Sequence, residues 1–171
     1  MDHRIALKPN TPLCLSNDSG EMIHCIIKNE IGRGGSCIVY EAVRITDTGD
    51  QTLYRIKEFY PYKLHISRNN NELVPSVHDM DSFQKGQKQF RCDFSHTNRL
   101  FYSGDNYSSM TNQLDVFNQN GTSYILSAYS SENTLAAYKP VNLKECITLM
   151  KQVVYVLGNI HKMGYLYLDI K

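Results

Sequence analysis

A glycine run set between two apolar segments constrains this chain more than any other feature. Met22-Ile23-His24-Cys25-Ile26-Ile27 has the composition of a strand. It leads into Ile31-Gly32-Arg33-Gly34-Gly35-Ser36, a turn that residues carrying a Cβ make with difficulty. Cys37-Ile38-Val39-Tyr40-Glu41-Ala42-Val43 reads as a second strand, and Asp47-Thr48-Gly49-Asp50 as hairpin punctuation. Leu53-Tyr54-Arg55-Ile56-Lys57-Glu58-Phe59 reads as a third strand, ended by Pro61. Three strands joined by tight turns predict an antiparallel meander.

The remainder alternates helix and hairpin. Residues 60–80, with Asn69-Asn70-Asn71 and Pro75, read as a long surface loop. From Asp81 to Tyr102 the apolar spacing of Phe83, Phe90, Phe94, Thr97 and Phe101 is helical, although Gly86 counts against a helix by about 1 kcal/mol relative to alanine. Gln113–Phe117 and Ser123–Tyr129 flank Asn120-Gly121, a strong hairpin signal. Ser130-Ser131-Glu132-Asn133 is a polar link. The clearest helix carries the stripe Leu143, Cys146, Ile147, Met150, Val153, Val154, Leu157 and Ile160. Asn142 is placed to cap it with Glu145 completing a capping box, and Gly164 sits where a left-handed C-terminal cap belongs. The first 21 residues are polar and read as an arm or a short edge strand.

Composition excludes several classes. With 171 residues and 42% apolar content the chain can bury a core. A net charge of +1 lacks the field that holds nucleic acid or an anionic membrane. No apolar run reaches the roughly 20 residues that span a bilayer, and residues 1–12 lack the apolar stretch expected of a secretion signal. Five cysteines without C-x-x-C pairing argue against a disulfide framework or zinc site and for a cytoplasmic protein. The six histidines show no ligand spacing, so no metal site is expected within this chain.

Four features could carry chemistry. Gly32, Gly34 and Gly35 form either an ordinary hairpin turn or a cradle in which backbone N–H groups approach a phosphate. They are not a dinucleotide fingerprint, because a strand follows them, nor a P-loop, because no Gly-Lys-Ser/Thr follows. Strand alternation puts Arg55, Lys57 and Phe59 on one face and Tyr54, Ile56 and Glu58 on the other. Lys57 is thus either a surface lysine on an edge strand or a point charge for phosphate oxygens. Asp93 is either a solvated helix carboxylate or a partner that fixes Lys57. Asp169 is either a turn residue or a carboxylate able to accept a hydroxyl proton.

The order of these landmarks resembles the eukaryotic-type protein kinase domain, Ser/Thr subgroup, from its first strand into its catalytic loop, over roughly residues 22–171. Ile31 to Tyr40 resembles the family's glycine loop, Tyr54-Arg55-Ile56-Lys57 its V-A-I-K, and Tyr167-Leu168-Asp169-Ile170-Lys171 the start of its H-R-D-L-K. The resemblance implies an α+β, protein-kinase-like fold: a five-stranded antiparallel sheet with one helix in the N-lobe, then the first helices of an incomplete helical C-lobe. The expected division is an arm at 1–21, an N-lobe at 22–128, and the hinge and start of the C-lobe at 129–171.

The same resemblance implies residue roles. Gly32, Gly34 and Gly35 would cover the phosphates of ATP, and Ile31 and Val39 would lie over adenine. Lys57 would hold the α- and β-phosphates with Asp93 as its partner. Ser127 to Ser130, including Tyr129, would form the hinge. Asp169 would accept the proton of a protein serine or threonine hydroxyl, and Lys171 would steady the transferred phosphoryl group. The sequence departs from the family at Cys37, where the third glycine belongs, and at Arg55, where a small residue belongs. It departs again at Asp93, where glutamate is usual, and at Tyr167 and Leu168, where histidine and arginine are usual. The asparagine and D-F-G aspartate that hold Mg²⁺ in the family would follow Lys171, so the chain by itself is expected to be an inactive fragment of a longer kinase. The alternatives are a non-catalytic pseudokinase or nucleotide-binding module, and an interaction module that uses the stripe of the last helix.

Overall fold

The computed structural model describes residues 2–17, 19–45, 49–103, 112–130 and 137–166. They fall into two compact units, one within Met1–Thr97 and Asn112–Tyr129, the other within Asn98–Thr111 and Ser130–Lys171.

The first unit is built on a six-stranded antiparallel sheet in the order β1-β2-β3-β4-β8-β7. Its strands are β1 (Pro12–Ser16), β2 (Met22–Arg33), β3 (Cys37–Ile45), β4 (Gln51–Phe59), β7 (Gln113–Gln119) and β8 (Thr122–Ala128). The meander β2-β3-β4 is present as the turn chemistry predicted. Asp47 and Thr48 lie outside the described residues. Asn120 and Gly121 both have positive φ (51° and 68°) in a two-residue turn, since Gln119 pairs with Thr122. That geometry matches the right-handed twist of the flanking strands.

Two expectations are corrected. The sheet has six strands, not five, because Pro12–Ser16 of the N-terminal segment pairs with β2. Leu13 and Leu15 alternate inward and are 2% and 0% exposed, which is why this edge is retained. β1 also lies beside β7 at the opposite end of the order, and Asn17 Nδ2 donates to Asp115 Oδ2 at 2.7 Å. The sheet therefore curls into a near-barrel, which protects both edges. Residues 60–80 are not simply a loop. They hold a hairpin of β5 (Ile66–Asn69) and β6 (Glu72–Pro75), turned by Asn70 at φ 53°. Leu73 of this hairpin is 2% exposed and joins the barrel core. Its N–H donates to Asn120 O at 2.9 Å.

The core fills the barrel with Leu15, Ile27, Ile38, Tyr40, Ile56, Phe117, Tyr124 and Leu126. Among these apolar groups lies Glu58, fully buried. Its carboxylate accepts from Tyr40 Oη (2.8 Å), Tyr124 Oη (3.1 Å) and Arg68 Nη2 (2.5 Å). Burial first, then the Glu58 charge, pushes both tyrosine hydroxyls far above the ordinary value. Burial likewise raises the Cys25 thiol to about 11.

Helix α1 (Met80–Ser103) belongs to this unit as far as Thr97. It packs on the opposite face of the sheet. Phe59 lies 5.2 Å from Phe83 and 5.4 Å from Phe90 between ring centroids. Gly86 permits that approach: a Cβ there would stand 2.8 Å from Phe59 Cζ. The residue that counts against the helix on propensity is the one that lets the helix reach the sheet.

In the second unit, α2 (Leu143–Lys162) is capped by Asn142, whose side chain accepts from Glu145 N–H at 2.9 Å. The Glu145 carboxylate accepts from Val141 N–H at 2.6 Å and from Tyr138 Oη, so the reciprocal bond falls one residue before the expected partner. Those bonds hold its carboxyl below the usual range. Gly164 (φ 82°) donates to His161 O and Tyr165 N–H to Ile160 O, the paired bonds of a Schellman cap. Leu143, Ile147, Met150 and Val154 of the predicted stripe are exposed.

Candidate functional site

The sheet register assembles a site on the face opposite the core. Side chains directly opposite in adjacent antiparallel strands lie on the same face. Gly32 pairs with Val39, Val39 with Lys57, Lys57 with Ile125, and Ile125 with Val116. Lys57 is thus the single charge in a row that crosses five strands. Beside it, Glu41, Arg55 and Ser127 form the next row. On its other flank stands Phe59, against α1.

The glycine turn closes one end of this face. Gly34 N–H donates to Cys37 O at 2.9 Å, while Gly35 O accepts from Tyr62 N–H (3.1 Å) and Ser36 O from Tyr60 N–H (2.9 Å). Among the described residues, no acceptor takes the N–H of Gly35 or Ser36. Neither Gly32, Gly34 nor Gly35 has positive φ. A Cβ at Gly32 would meet nothing within 4 Å, and one at Gly34 or Gly35 would make ordinary contacts at 3.5 and 3.9 Å. The fold itself therefore does not require glycine at these positions. What glycine leaves is open backbone beside two unused donors, the features of an anion cradle.

Other expected residues scatter more widely. Ile31 is the bulged residue between Glu30 and Gly32 and is 44% exposed. Ser127 is fully buried, and its hydroxyl has no hydrogen-bond partner among the described residues. Tyr129 lies under the Arg55 guanidinium, whose carbon is 5.9 Å from the ring centroid. Asp93 is exposed, accepts from Gln89 Nε2 at 2.8 Å, and forms no ion pair with Lys57. Asp169 and Lys171, with Tyr167 and Leu168, lie outside the described residues.

Ile125, absent from the sequence-based candidates, is 3% exposed beside Lys57. The Asn120-Gly121 turn could have found it, because a two-residue hairpin fixes the register of β8 on β7. Among the described residues, no group of three or more His, Cys, Asp or Glu side chains is placed to hold a metal ion. None of the described helices is long and apolar enough to cross a membrane.

No protein-family profile matches the chain, and no curated protein matches it by sequence. Solved structures do. The apo form of PpkA-294, from a bacterial Ser/Thr kinase, superposes with a TM-score of 0.69 at 26% identity over 86% of this chain. The chain spans about half, 52%, of that structure. The fold is kinase-like: α+β, with a mostly antiparallel sheet and two helices.

Proposed function

We propose that this chain is the nucleotide-binding part of a protein kinase that transfers the γ-phosphate of ATP to serine or threonine hydroxyls of a protein substrate. The observation that carries the reading is the half-buried Lys57, aligned with Val39 and Ile125 on the face bordered by the glycine turn. Its ammonium has no carboxylate partner among the described residues, so it is available for α- and β-phosphate oxygens. The N–H groups of Gly35 and Ser36 would take the outer phosphates. Val39 and Ile125 would contact the base, and backbone groups of the Ser127 to Ser130 hinge would meet its polar edge. Phosphoryl transfer is chiefly positioning and charge stabilisation, which suits a site built from a lysine and backbone donors. The kinase-like fold supports the reading. Asp169 would accept the hydroxyl proton and Lys171 would steady the phosphoryl group. Mg²⁺ would neutralise phosphate charge when bound, and it is assigned no ligand among the described residues.

A second reading, a non-catalytic nucleotide-binding module, is favoured by one observation: Asp93 is engaged by Gln89 rather than Lys57. Calorimetric titration of the chain with ATP, with and without Mg²⁺, and thermal melts of the same samples test the site. At 100 times Kd the ligand should stabilise the protein by about 2.7 kcal/mol. Lys57→Met should remove that stabilisation. No binding to the folded wild type, or equal binding to the variant, refutes the assignment. Phosphorylation of a protein substrate, lost in Asp169→Asn, separates the two readings.

A further inference from the structure

The segment before β1 makes contacts that its polar sequence does not announce. Arg4 lies in this segment and is only 8% exposed. Its Nη2 donates to Gly34 O at 3.0 Å, and its Nη1 to Cys37 O at 3.2 Å and to Tyr60 O. Asp2 completes the guanidinium's coordination through Nε (2.9 Å) and Nη2 (2.6 Å). The guanidinium carbon stands 6.0 Å from the ring centroids of both Tyr60 and Tyr62. Arg33 Nη1 returns a bond to Arg4 O at 2.9 Å, and Arg33 Nε donates to Glu30 Oε1 at 2.6 Å. Three residues on, Leu7 is buried in the core and its N–H donates to Tyr40 Oη at 3.1 Å.

All four carbonyls of the turn are therefore held by the protein. Arg4 takes those of Gly34 and Cys37, and the N–H groups of Tyr62 and Tyr60 take those of Gly35 and Ser36. The side from which Arg4 acts is also defined. Tyr40 and Tyr60 belong to the barrel core, whereas Val39 and Lys57 face the other way. Arg4 thus grips the turn from behind, and the Gly35 and Ser36 N–H groups take no part in that grip.

We propose that residues 2–7 brace the glycine turn from the face opposite Lys57, and that Arg4 is a positioning residue for nucleotide bound at that turn. The positioning role rests on the nucleotide-binding reading above; the brace does not. A turn containing consecutive glycines has much conformational freedom to lose when a ligand orders it. Ordering it beforehand removes that cost from binding. A lysine in place of Arg4 would keep the charge but not the planar fork that reaches three carbonyls.

The test uses the whole chain, with amide hydrogen exchange and ATP titration on wild type, Arg4→Ala, Arg4→Lys and the exposed-site control Lys8→Ala. In Arg4→Ala the amides of Gly34, Tyr60 and Tyr62 should exchange on the order of tenfold faster, while those of Ile56 and Leu126 stay as in wild type. ATP Kd should rise by about tenfold. Arg4→Lys should fall between, and Lys8→Ala should match wild type. If Arg4→Ala does not fold, Arg4→Lys decides on the same two readouts. Wild-type exchange at the turn overturns the brace. Accelerated exchange with an unchanged Kd overturns the positioning role. If wild type binds no ATP, the nucleotide reading and the positioning role fall together, and the exchange rates alone decide the brace.

Discussion

Arg68→Met tests whether the buried carboxylate organises the barrel. In the native state Arg68 and Glu58 have 3% and 0% of their side chains exposed, with Nη2 and Oε2 2.5 Å apart. Glu58 then holds the Tyr40 and Tyr124 hydroxyls, and Arg68 also bonds Ile5 O (2.7 Å) and Asn71 O (3.2 Å). The pair therefore joins β3, β4, β8, the β5-β6 hairpin and the N-terminal segment. Removing the arginine strands a charge with two neutral donors in the core. Breaking a buried pair in this way costs about 3–5 kcal/mol. Two further bonds to backbone carbonyls, each about 1 kcal/mol, place the loss toward the upper end. Against a total stability of about 5–15 kcal/mol this is a large fraction. Equilibrium denaturation in urea would read it as a lower midpoint at constant slope. The double variant Glu58→Leu/Arg68→Met removes both charges and leaves the two tyrosine hydroxyls without their acceptor. It should be more stable than Arg68→Met alone, with a coupling of at least about 2 kcal/mol. A loss below about 1 kcal/mol in the single variant, or simple additivity in the double, would refute the argument.

Three further perturbations follow from local geometry. Gly121→Ala should lower the melting temperature sharply, because φ is 68° and the new Cβ would stand 2.2 Å from Leu73 O. Gly86→Ala should also destabilise, despite a helix-propensity gain of about 1 kcal/mol, because Phe59 occupies the space; a higher melting temperature would contradict this packing. Asn142→Ala should lower the helicity of α2 by circular dichroism, at a cost of about 1 kcal/mol, through loss of the Glu145 N–H bond. The pH dependence has two edges. Hydrogen bonds from the Arg4 side chain hold the Asp2 carboxyl below its ordinary 3.8, and bonds from His65 do the same for Asp79. Their contributions are complete above that value and are lost as pH falls below it. Tyr40 and Tyr124 are raised above 10, so their contribution is complete below pH 10 and is lost as pH rises beyond it. Melts from pH 2 to 12 that stay flat at either edge would contradict the corresponding assignment.

Much of the fold was legible because its signals are local. Asn120-Gly121 specifies a turn within its own two residues, and Asn142 and Gly164 end a helix within a turn of themselves. Alternation along β4 separated Lys57 from Glu58 before any contact was known. The short β5-β6 hairpin was not legible, because four-residue strands around three asparagines carry too little pattern to distinguish them from a loop. The distant pairings had no local signature at all. In the sequence Glu58 only shares a strand face with Tyr54 and Ile56; Tyr40, Tyr124 and Arg68 meet it in the fold. Arg4 reads as part of a polar arm until Gly34, Cys37 and Tyr60 present their carbonyls. Asp93 suited Lys57 by order along the chain, but its position on α1 turns it toward Gln89. The sequence by itself determined the meander, the lysine strand and the capped last helix, since each depends on backbone preferences over a few residues. Only the tertiary structure decided the sixth strand, the buried charge and the brace behind the turn, because each depends on contacts between separate segments, as far apart as Asn17 and Asp115.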